Sequence, residues 1–207
     1  MSRSTASLVL ALVLALPTAA LAQDGKPTPT PPGPPGAVCL DFEAPLVLGT
    51  VYGRPVGQLP GDLAFVSQNV SVTVEAFRRP SAGFAFEHAQ IVNPPRSFAS
   101  GQSLRSNNIG LQFDFRAIGF TPKRVTLQFL DLGGYENLAV NGLPVPVYVG
   151  ELAGAPSPIG GVAVAVTTVP LLPPISGKTG TLELTGPVST LRIGGQELWI
   201  DSVCAYP

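Results

Sequence analysis

The chain has 207 residues, 45% of them hydrophobic, with 12 basic and 13 acidic side chains and a formal net charge of −1. So thin and balanced a charge excludes nucleic acid or an anionic membrane as a partner held through a basic surface, since both need clustered Lys and Arg. One histidine in the whole chain also excludes a zinc site built from imidazoles.

In chain order, residues 1–22 read as an export signal. Arg3 gives a weakly positive start, LVLALVLAL is a short apolar run, and Ala20-Leu21-Ala22 brings small residues to a cleavage point before Gln23. Pro17 breaks the run, which is shorter than the about 20 residues a bilayer span needs. No cysteine follows closely enough to be lipidated, and the closing Ala205-Tyr206-Pro207 has no apolar tail. The expected location is secreted or periplasmic, without membrane insertion once the signal is removed. Residues 23–37 form a Pro-rich linker. Proline removes backbone donors and favours an extended polyproline II spacer, so this stretch builds no core. Residues 38–207 remain as one domain, long enough to bury a hydrophobic core.

From Val38 the pattern becomes short apolar or alternating runs between turn residues, with almost no helical period. The candidate strands are VCLDFE, VSVTVEAF, FAFEHAQIV, IGLQFDF, RVTLQFLDL, NLAVN, VPVYVG, VAVAVTTV, GTLELTG, STLRIGG and ELWIDSVC. In VSVTVEAF, Val70, Val72 and Val74 alternate with Ser71, Thr73 and Glu75, the period of a strand with one buried face. Asn141-Gly142 is a hairpin signal, because both residues tolerate the positive φ of a type I′ turn. Gly194-Gly195 reads as another tight turn, making the end of the chain a hydrophobic hairpin. So many short strands in one domain imply an all-β, antiparallel two-sheet β-sandwich of jelly-roll type.

Cys39 falls in the first candidate strand and Cys204 in the last. In jelly-roll sandwiches such strands often lie side by side, so a disulfide joining the two ends of the domain is expected in an oxidising compartment; two buried thiols are the alternative.

The opening Asp41-Phe42-Glu43, then Gly49-Thr50, and the closing ELWIDSV (Glu197 to Val203) resemble jelly-roll carbohydrate-binding modules and galactose-binding-like domains. The ordered combination DFE, LQFDF, VNG, GTLELTG and IGGQELWID is similar to a group of secreted bacterial β-sandwich proteins of uncharacterised function. That resemblance implies a structural calcium held by an acid of the opening strand and the Asp of the closing strand. By position these are Glu43 and Asp201, with Asp41 as a third ligand. The chemistry agrees: Asp41 and Glu43 project from one face of an extended segment while Phe42 turns inward, and converging carboxylates make a hard-oxygen site suited to Ca²⁺. Ordinary solvated acids, or pairs with Arg54 or Arg192, are the alternatives.

No catalytic residue emerges. His88, in FAFEHAQ, has no serine in a nucleophile-elbow pattern to serve. Glu75, Glu87, Asp114, Asp131, Glu136 and Glu151 form no recognisable E-x-D-x-E arrangement. A polysaccharide hydrolase or lyase would have to use Glu87, His88 or nearby acids. Binding is the better supported class, with an extracellular glycan as favoured partner through the resemblance. Arg105, Asn107 and Asn108 in the polar loop SGQSLRSNN could supply hydrogen bonds, and Tyr135, after two glycines, an exposed ring. Trp199 shares an apolar face with Asp201 and Val203 and is read as core. A charged fraction of 12%, against about 25% in typical domains, leaves a self-associating extracellular matrix protein as the alternative.

Overall fold

The computed structural model describes residues 36–81, 83–99 and 101–207. The expected export signal and most of the expected linker lie outside the described residues. Fifteen strands follow one another among the described residues: β1 (Val38–Leu40), β2 (Val51–Gly53), β3 (Leu63–Ser67), β4 (Val70–Arg78), β5 (Phe84–Ala85), β6 (His88–Val92), β7 (Ser103–Asn107), β8 (Ile109–Asp114), β9 (Arg124–Asp131), β10 (Glu136–Val140), β11 (Leu143–Gly150), β12 (Ala163–Pro170), β13 (Lys178–Thr185), β14 (Thr190–Gly195) and β15 (Leu198–Tyr206). None of the helices described is long and apolar enough to cross a bilayer.

The strands make two antiparallel sheets packed face to face. One has eight strands in the order β12-β13-β9-β15-β7-β6-β2, with β1 also paired to β15; the other has seven, β11-β10-β14-β8-β4-β3, with β5 added to β4. Period-two alternation drives this layering. On β4, Val70, Val72 and Val74 are fully buried while Ser71, Thr73 and Glu75 face outward. Phe113, Phe115, Phe129, Leu111, Leu127 and Ile193 meet them between the sheets. Each such side chain contributes about 1.5–3 kcal/mol by leaving water.

The Asn141-Gly142 turn joins β10 to β11 with φ of 54° and 76°, the double positive value a type I′ turn requires. The Asn141 side chain anchors it, accepting from Ser189 N–H (2.7 Å) and donating to Pro187 O (2.8 Å).

Four expectations need correction. The end of the chain is not a hairpin: β14 and β15 lie in different sheets, and Gly194-Gly195 finish β14 instead of making the turn. Gly194 is there for contact, since a Cβ would meet Ile109 O at 2.2 Å. The polar stretch expected as a loop contains strand β7, because Leu104 and Ser106 turn inward and Ser103 is buried as well. The opening strand stops at Leu40, as Phe42 takes a left-handed φ of 59° that leaves the ladder while its ring enters the core. Finally, Trp199 and Val203 do not share a face. A bulge between Asp201 and Cys204, with Ser202 at φ 51°, shifts the register so that Val203 joins the inter-sheet core and Trp199 does not.

Cys39 and Cys204 are cross-strand partners in the β1–β15 pair and are joined by a disulfide that spans 165 residues of chain.

Candidate functional site

One edge of β15 is shared by two strands. β7 pairs with Leu198 to Ile200, and β1 pairs with Val203 to Ala205. Asp201 and Ser202 fall in the break between them. The chain leaves β1 through Asp41 and Glu43 on one side of the break and enters β7 through Gln102 on the other. Glu43 spans the two, accepting from Gln102 N–H (2.5 Å) and Gln102 Nε2 (3.2 Å), while Glu43 N–H donates to Asp41 Oδ1 (3.2 Å). Gly101 makes room for this: its φ is 75°, and a Cβ there would meet Glu43 Oε1.

Asp201 is 1% exposed and accepts one hydrogen bond, from Ser202 N–H at 2.6 Å. Its burial, with the charges of Asp41 and Glu43 adding to it, pushes its carboxyl up to about 8. The charges of Asp41 and Glu43 therefore reach Asp201, but among the described residues these three acids do not form a group with carboxylate oxygens all within 4.8 Å of one another, and neither Arg54 nor Arg192 forms an ion pair with them. Arg192 lies instead 3.6 Å from Glu75.

A second acidic cluster could hold a metal ion by distance. Asp131, Glu136 and Glu151 each offer one carboxylate oxygen, and these lie within 4.8 Å of one another. A cation of the chain's own already stands there, with Lys178 Nζ 3.1 Å from Asp131 Oδ2 and also paired with the Glu151 carboxylate. Glu136 reaches in from the opposite sheet. Leu152 N–H donates to its Oε2 (3.2 Å), and its fully buried Oε1 has no partner. Burial first, and the Asp131 charge second, push the Glu136 carboxyl up to about 8. In the sequence these acids stand unconnected, because the β9–β13 register that sets Lys178 opposite Asp131 is not a local property.

The outer face of the seven-stranded sheet carries a groove of about 280 Å³ whose lining includes Phe84, Val145, Arg78, Gln112 and Arg192. The alternation that buries Leu111, Phe113 and Ile193 turns Gln112 and Arg192 to this face. Phe84 stands on β5 as a wall and is 71% exposed; Val145, between Pro144 and Pro146 on β11, is 81% exposed. The β4–β5 wall is clamped by buried Asn137, which accepts from Arg78 N–H (2.7 Å) and donates to Arg78 O (2.9 Å). Arg192 donates through Nη2 to Ala76 O, while its buried Nε has no partner. A larger groove of about 400 Å³ lies beside Phe115 and Arg116. Its one guanidinium is already engaged, Arg116 Nε donating to both Asp114 oxygens at 2.9 and 3.0 Å.

The residues expected to bind ligand lie elsewhere. Arg105 stands on β7 between Gln90 and Trp199, with its guanidinium carbon 5.2 Å from the centre of the Trp199 ring. That cover keeps Trp199 at 6% exposure, so the ring is packed under Arg105 outside the inter-sheet core. Asn108 N–H donates to Gly195 O (2.9 Å) and its Nδ2 to Asn107 Oδ1 (3.2 Å). Tyr135, 46% exposed, donates its N–H to Gln196 Oε1 (3.1 Å). Asn107, Asn108 and Tyr135 thus gather around residues 195–196, where β14 ends, at one end of the sandwich. His88 pairs with Gly53 and Asn107 on β6, and the Glu87 carboxylate lies 4.0 Å from Arg79. No protein-family model, curated protein or solved structure matches the chain.

Proposed function

We propose that the protein is an exported, non-catalytic binding module for extracellular glycans. The observation that carries the reading is the groove on the outer face of the seven-stranded sheet. A sugar ring presents an apolar face and a rim of hydroxyls, and the groove offers the matching pair: the exposed ring of Phe84 beside Arg78, Gln112 and the spare Nε–H of Arg192. Asn107, Asn108 and Tyr135 would serve as a separate contact region at the end of the sandwich, with Arg105 further along β7 over Trp199. The disulfide suits an oxidising compartment, in keeping with the export signal.

In this reading a calcium ion sits in the break along β15, held by Asp201, Asp41 and Glu43. The support for it is the buried Asp201 carboxylate, acted on by the charges of Asp41 and Glu43 and, among the described residues, paired with no cationic side chain; the ion would have to draw the three acids closer together. The Asp131, Glu136 and Glu151 cluster has the closer spacing, but Lys178 already occupies it. The ion would fasten the start of the domain to its last strand beside the disulfide.

A glycan array tests the binding reading. Discrete positives that disappear in Phe84→Ala, with no cleavage of the bound sugars, are expected; a blank array, or positives unchanged by the substitution, would remove it. Self-association is the second reading, favoured by β12, an uncharged eight-residue strand at the edge of its sheet with Val169 65% exposed. Concentration-dependent light scattering would support it.

A further inference from the structure

The geometry points to an intramolecular amide bond between the Lys178 ε-nitrogen and the Asp131 side-chain carbonyl carbon, formed by the protein on itself. Lys178 and Asp131 are directly opposed residues of the antiparallel β9–β13 pair, so their side chains rise side by side from one face. Nζ already lies 3.1 Å from Asp131 Oδ2, an ion-pair distance that holds the amine beside the carboxyl group whose Cγ it would attack. The Asp131 side chain is 3% exposed and that of Lys178 21%, which keeps bulk water from the reacting atoms.

Two further groups complete the chemistry. Gly133 N–H donates to Asp131 Oδ1 at 2.8 Å, so that oxygen is held by a fixed backbone donor where negative charge would develop during attack. Glu136 faces the pair from the opposite sheet, fully buried, with Oε1 unpartnered. Its carboxyl is held largely neutral near pH 7 by desolvation, so it can give a proton to one side of the reaction and take one from the other. Ion pairing by Lys178 alone leaves the buried Glu136 Oε1 without a partner.

The step balances. The ammonium passes a proton by way of Glu136 to Asp131 Oδ2, leaving a neutral amine and a neutral carboxylic acid. The amine lone pair attacks Cγ, a C–N bond forms, and charge collects on Oδ1 facing Gly133 N–H. The C–Oδ2 bond then breaks, Oδ2 takes up a second proton from nitrogen through Glu136, and one water leaves. An ammonium and a carboxylate have become an amide and water, with Glu136 returned to its starting state. Effective concentrations in well-oriented pairs reach about 10⁵–10⁸ M, enough to drive such a condensation without an activated donor. The product is a covalent tie between β9 and β13, in the sheet whose β15 the disulfide fastens to β1. Glu151 also touches Lys178, but its side chain is 58% exposed and open to water.

Intact-mass spectrometry of the purified, exported protein tests this. After reduction of the disulfide, the mass should fall short of the sequence mass by one water. A tryptic digest should leave Lys178 uncleaved and linked to the peptide that contains Asp131. Lys178→Arg, which keeps the charge but cannot form the amide, should fold with an unchanged circular dichroism spectrum and show the full mass. Glu136→Gln should fold and accumulate the linked form far more slowly. Full mass in the wild-type protein would overturn the proposal, as would a link through Glu151 or a divalent metal retained at this cluster in a native mass spectrum.

Discussion

Asp201→Asn should change how stability depends on both pH and calcium. In the folded chain the Asp201 carboxyl is pushed up to about 8 by burial, against about 3.9 in an unfolded chain. A folded value above the unfolded one means the native state holds its proton more tightly. That contribution is complete below about pH 4 and is lost as pH rises towards 8. At about 1.4 kcal/mol per pH unit, going from pH 4 to pH 7 without a bound cation removes roughly 4 kcal/mol through this one group. Glu136, also pushed up to about 8, slopes the same way, so the substitution should remove about half of the combined pH dependence. Calcium competes with the proton on Asp201, so it should stabilise strongly near pH 7.5 and little near pH 5. Thermal melts followed by circular dichroism at these two pH values, with calcium or with chelator, give the readout. In chelator the wild-type midpoint should be lower near pH 7.5 than near pH 5, and calcium should restore it. Asp201→Asn should melt higher than wild type in chelator near pH 7.5 and ignore calcium. Equal calcium shifts in wild type and Asp201→Asn would refute the reasoning.

Other substitutions probe the same design. Replacing Cys39 and Cys204 together by serine frees a loop of 165 residues, which the chain-entropy model values at about 5 kcal/mol, so urea denaturation should show a much lower midpoint. Gly101→Ala places a Cβ on Glu43 Oε1 at a positive φ. It should weaken calcium binding, read by titration calorimetry, and lower stability by about 1 kcal/mol. Leu127→Ala, in the fully packed layer between the sheets, should cost about 2–5 kcal/mol in the same denaturation assay while leaving the disulfide intact.

The parts of this fold that could be read beforehand are those decided by neighbours in the chain. Val70, Val72 and Val74 declare a half-buried strand through their own alternation, and Asn141-Gly142 declares its turn through the φ values the two residues allow. β7 is hidden in the sequence because its polar residues suggest exposure. Ser106 is buried, yet satisfied, its Oγ donating to Ile109 O (2.6 Å) and accepting from Gly195 N–H (3.1 Å). The same reliance on alternation put Trp199 on the face of Val203, since nothing local announces the extra residue at Ser202. Asp41, Glu43 and Asp201 belong together in the sequence only if the two ends of the domain meet; the paired cysteines join those ends, but the three carboxylates do not close to the spacing of a metal site. The groove could not be assembled from the sequence. Phe84, Gln112, Val145 and Arg192 come from four strands, and their common face depends on a strand order that no short motif encodes.

The binding claim is tested most directly by a crystal structure of the protein grown in calcium with an oligosaccharide taken from the glycan-array positives. The expected result is a sugar ring stacked on Phe84, with its hydroxyls reaching Arg78, Gln112 and Arg192. A sugar seated instead at Arg105, Asn108 or Tyr135, with the Phe84 groove unoccupied, would contradict the account.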